Sequence, residues 1–98
     1  MRGLRDLADL RVASEQVRYE FLQADLELCF TFTDLAKTEL ELGEREAAER
    51  VLTKAEAGYA MISRFLGDVC NAEQREEIQR RLTGLAARLE HLRGDMGA

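Results

Sequence analysis

Residues 35–55 read LAKTELELGEREAAERVLTKA, two apolar-periodic runs that meet at a glycine. Gly43 follows Leu42 at the end of an apolar run with helical spacing, the position where a left-handed glycine stops a helix. A second run begins at once with Glu44-Arg45-Glu46, whose acids suit the positive end of a new helix. Beyond the turn the apolar side is made of small residues, Ala47, Ala48 and Ala55, with Gly58 soon after. Small residues let a neighbouring helix come near, so the two helices are expected to cross tightly. The stretch is a helical hairpin.

The same logic extends outward in both directions. Upstream, the first helix is expected over residues 17–42 and has two apolar stripes. One holds Phe21, Leu28, Phe32, Leu35 and Leu42; the adjacent one holds Leu22, Leu26, Cys29, Ala36 and Leu40, with Phe30 near an edge. Such a helix is apolar over more than the width one neighbour covers. It is either central or contributes a surface to an association. Downstream, the second helix has a core side of Ala48, Val51, Leu52, Ala55, Tyr59, Ile62, Phe65 and Leu66.

Gly67 lies near the end of that run, and Asn71 with Gln74 three residues on resembles a capping box opening a third helix. There Ile78, Leu82, Leu85, Leu89 and Leu92 are spaced four, three, four and three, which makes a single stripe. Arg75, Glu76, Arg80, Arg81, Arg88 and Glu90 fill the solvated positions. The expected fold is all-α, an antiparallel three-helix bundle over residues 15–93. Residues 1–14 are expected to be flexible or a short extra helix, from Leu4, Leu7, Ala8 and Leu10, and residues 94–98 a frayed tail after Gly94.

The hairpin resembles the middle of a tetratricopeptide repeat. Such repeats place a large and a small residue on the first helix, a glycine at the turn, then Ala, a bulky residue and Ala on the second. Leu35, Ala36, Gly43, Ala48, Leu52 and Ala55 occupy those positions here. A shift of one repeat length puts Asp9 or Glu77 at the glycine position, so the resemblance covers a single unit. A hairpin closed by a third helix is also similar to the microtubule interacting and trafficking domain. The resemblance implies a helical hairpin, and one unit does not make the concave groove with which repeat arrays bind peptides.

Composition narrows the function. The chain has 98 residues without Pro or Trp, with 19 acidic against 14 basic side chains and a net charge of −5. Residues 1–20 hold four acids and four bases, residues 21–43 five and one, residues 44–70 five and four, and residues 71–98 five and five. No segment is net basic, which argues against nucleic-acid binding. Apolar runs fall far short of the ~20 residues of a membrane span. The first residues hold aspartates and no apolar core, unlike a secretory signal. The expected location is the cytoplasm, with Cys29 and Cys70 as reduced, buried thiols.

Chemistry-bearing patterns are sparse. The lone His91 sits in a last helical turn, where it interacts with the helix dipole. No zinc, di-iron or phosphate-loop spacing occurs. Glu39, Glu41, Glu44, Glu46 and Glu49 form a solvated acidic corner. No catalytic residue, metal or cofactor is therefore expected. The surplus width of the first helix points instead to partner docking or self-association around Phe21, Leu22, Leu26 and Phe30, with a homodimer as the default assembly. The competing reading is a small ligand-binding or thiol-redox protein that uses a pocket between helices and Cys29 or Cys70.

Overall fold

A computed structural model describes the backbone of residues 2–97 and the side chains of residues 13–97. Three helices, α1 (Arg2–Glu41), α2 (Arg45–Phe65) and α3 (Ala72–Gly97), are joined by a glycine turn and by a short 3-10 turn, Leu66–Asp68. The chain runs up, down and up, and no strand occurs among the described residues. This is the expected all-α three-helix bundle.

The first joint is made by Gly43, which adopts φ +79. Its N–H donates to the carbonyl of Leu40, and the N–H of Glu44 donates to the carbonyl of Glu39 at 2.8 Å. This pair of bonds is a Schellman motif, which satisfies carbonyls that the helix end would otherwise leave bare. The second joint ends at Asn71, whose side-chain Oδ1 accepts from the N–H of Gln74 at 2.9 Å. The reciprocal half of the capping box is absent, because the Gln74 side chain reaches across to Gln16 instead. Arg18 and Arg75 donate to the carbonyls of Asp68 and Val69, tying the connection to α1 and α3.

Leu26, Leu52, Ile62, Ile78, Leu82 and Leu85 are the largest apolar side chains fully withdrawn from solvent. The seam between α1 and α2 uses the expected small residues: Ala36, Ala48 and Ala55 are completely buried. At Gly58 the helices come so close that a Cβ would clash with Cys29 Sγ. On α3 the whole expected stripe is buried, and Met96 extends it. Across the bundle, the Arg93 guanidinium bonds Glu49 at 2.7 Å and Glu56 at 2.9 Å, clamping α3 to α2.

Several expectations change. The backbone of residues 2–14 continues α1 without a break rather than forming a separate short helix. The side chains of Leu4, Leu7, Ala8 and Leu10 lie outside the described residues. The expected frayed tail is helical through Gly97, because burial of Met96 extends the core stripe past Gly94. Phe65, assigned to the core side of α2, is exposed where that helix gives way to the 3-10 turn. Cys70 is exposed and only Cys29 is buried; both are free thiols.

The molecule is long, with extents of 64 × 20 × 15 Å. At 1.5 Å per residue α1 alone accounts for about 60 Å of that length. It outruns α2, which has 21 residues, and α3, which has 26.

Candidate interaction surface

The two apolar stripes of α1 part company in the bundle. Leu22, Leu26, Cys29 and Ala36 turn inward and meet α2 and α3. The other stripe stays outside except at Phe32, which is half-buried against the core: Phe21 is 61% exposed, Leu28 50%, Leu35 43% and Leu42 72%, and Val17, at 64%, continues the row. At about 100° per residue the two stripes lie roughly 125° apart on the helix. Neighbours that bury one therefore cannot cover the other.

The exposed stripe is regular. Phe21, Leu28, Leu35 and Leu42 recur every seven residues, and Val17, Ala24, Thr31 and Thr38 lie four residues before them, also at intervals of seven. A strict seven-residue repeat with a second row offset in this way is the pattern of a helix that packs along another helix. The first row is apolar throughout, while the second is apolar at Val17 and Ala24 and carries threonines at 31 and 38. On α2, Met61 and Phe65 add exposed apolar surface.

This geometry redraws the surface expected from sequence. Phe21 belongs to it. Leu22 and Leu26 do not: both are core residues, at 2% and 0% exposure. Phe30 is half-buried because Arg88 and Arg81 of α3 stack over its ring, 5.0 and 6.0 Å from the centroid. Such guanidinium contacts cover an aromatic face that would otherwise meet water. Val17, Leu28, Leu35 and Leu42 take the vacated places. The signal for them was present in the seven-residue spacing.

Acidic groups line this stripe. Glu20, Glu27, Asp34 and Glu41, one residue before each large apolar side chain, are all exposed. On the other flank stand Asp25 and Glu39, each with one carboxylate oxygen buried and without a hydrogen-bond partner. Burial pushes the Asp25 carboxyl above its ordinary value. The Cys29 thiol is also pushed up, by burial and then by the nearby Asp25 charge, which disfavours the reactive thiolate.

Other chemistry is thinly represented. Among the described residues no three His, Cys, Asp or Glu side chains come together as a metal site would require. His91 is exposed beside Asp95, at 3.5 Å. A groove of about 410 Å³ between α1 and α3 is lined by Thr33, Lys37, Arg88 and Asp95 among others. Its polar groups are largely engaged locally: Thr33 donates to the Phe30 carbonyl and Arg88 bonds Asp34. Among the described residues no helix is long and apolar enough to cross a membrane.

Fold and surface together define a class: a three-helix bundle whose longest helix has a second, unpartnered apolar face. Comparison with protein-family models, curated proteins and solved structures found no match.

Proposed function

We propose that this protein is a non-catalytic helical interaction module of the cytoplasm, and that it works by docking a helix along the outer face of α1. One observation carries the reading: the exposed Phe21, Leu28 and Leu35 of α1, and Leu42 just past its end, repeat every seven positions, the spacing with which two helices pack side by side. Scattered exposed leucines need no explanation, but a row of large apolar side chains in helical register does. The single repeat-like hairpin supplies the rigid support, since its small-residue seam holds α1 firmly from behind. The net charge of −5 speaks for a protein partner rather than a nucleic acid.

A photo-crosslinking amino acid at position 28 or 35, compared with one at position 80 on the outer side of α3, tests this reading in the source cells. Defined adducts are expected from positions 28 and 35 and not from 80. Equal labelling from all three positions, or none from any, would refute it.

A further inference from the structure

We propose that the occupant of this face is a cationic amphipathic helix of another protein, with an apolar seam and Lys or Arg along both edges. This rests on the reading of the α1 face as an interaction surface and names the chemistry of its partner.

Charge on both flanks carries the argument. The flank formed by Glu20, Glu27, Asp34 and Glu41 is wholly acidic. Glu27 and Glu41 have no ion pair among the described residues, while Asp34 is held by Arg88 at 3.1 Å. The opposite flank reads Arg18, Asp25, Phe32 and Glu39. Asp25 and Glu39 stand two repeats apart on the same edge, and each has a buried oxygen that no donor reaches. Both carboxylates are part-exposed and have no ion pair among the described residues, so a Lys or Arg arriving along that edge would meet charge that nothing in the chain neutralises. The one base, Arg18, is already donating to the Asp68 carbonyl at 3.3 Å.

A second copy of the chain fits these flanks poorly. In a parallel pair, the row just before the seam meets the row five residues further on in the partner helix. That sets Glu20 against Asp25 and Asp34 against Glu39. In an antiparallel pair with the seam fully overlapped the wholly acidic row faces itself, and Arg18 against Glu39 is the one opposite-charge match. Like charges along a seam select against self-pairing and for a partner of opposite sign. The charge balance therefore favours a cationic partner over the homodimer that symmetry alone suggests.

Three synthetic four-heptad peptides test this against the full chain by fluorescence anisotropy. One has a Leu seam with Lys on both flanks, one the same seam with Glu flanks, and one the Lys composition with a scrambled seam. The Lys-flanked peptide is expected to bind, more weakly as salt rises, and the other two at least about tenfold less tightly. Leu28→Glu with Leu35→Glu should abolish binding without changing helicity. Glu27→Lys with Glu41→Lys should shift preference toward the Glu-flanked peptide.

Equal binding of Lys- and Glu-flanked peptides, still lost in the leucine variant, would overturn the charge inference and leave the surface standing. A dimer in sedimentation that the leucine variant dissolves would do the same, by making a second copy the occupant. No seam-dependent binding of any peptide, together with a monomer, would overturn both.

Discussion

At Gly58 the absence of a side chain is itself a structural element. Cys29 Sγ occupies the space a Cβ would need, so Gly58→Ala must push α1 and α2 apart or distort the thiol. We expect a loss of about 1–3 kcal/mol, the usual cost of overpacking a fitted core. In denaturant unfolding, adding Cys29→Ala should recover part of that loss; strictly additive effects would show that the two sites do not touch.

Asp25 makes a different residue-scale case. Its carboxyl is raised in the folded state by burial, so the native protein favours the protonated form more than the unfolded chain does. The resulting penalty is absent below the ordinary value of 3.8, grows as pH rises through the raised native value, and is complete above it. Asp25→Asn should therefore raise the thermal midpoint near neutral pH, with the difference fading below pH 3.8. An unchanged midpoint at neutral pH would mean that the carboxylate is adequately solvated.

At the scale of elements, the two joints make separable predictions. Gly43 takes a positive φ that an L side chain tolerates poorly, so Gly43→Ala should cost about 1 kcal/mol in chemical denaturation. Asn71→Ala removes the acceptor for the Gln74 N–H and should cost a similar ~1 kcal/mol. Both joints were legible from local sequence, because turns and caps are set by backbone conformation and by hydrogen bonds a few residues long. The end of α3 was not. Gly94 looks like a stop, yet the helix passes through it because Met96 finds a place in the core. Burial outweighed a propensity cost of about 1 kcal/mol.

Over the whole molecule, the two faces of α1 contribute very differently to stability. Leu26→Ala should cost about 2–5 kcal/mol, since its side chain is completely buried. Leu28→Gln, two residues on, should shift stability by no more than about 0.5 kcal/mol in the isolated protein. Comparable losses for both would mean that the outer stripe is covered in the free chain.

The Arg93 clamp also acts at this scale. Hydrogen bonding from Arg93 holds the Glu56 carboxyl below its ordinary value, outweighing the opposing effect of burial. That contribution is present above 4.5 and disappears as pH falls through the depressed native value. Arg93→Met should remove this part of the acid sensitivity and cost about 1 kcal/mol near neutral pH, as a partly exposed pair does.

What the sequence determined by itself was the three-helix core, the joints at Gly43 and Asn71, the small-residue seam of Ala36, Ala48 and Ala55, and the single stripe of α3. Each follows from spacing and local chemistry within one or two elements. The orientation of α1 was a tertiary matter. Two apolar stripes of similar hydrophobicity were present on one helix, and periodicity has no term for which one a neighbour will take. Close packing made the choice. The stripe with Cys29 and Ala36 can approach Gly58, Ala48 and Ala55, whereas the leucines at 28 and 35 would hold the helices apart. The bulkier stripe, with Phe21 at its head and acids along its edges, was left outside as the candidate surface.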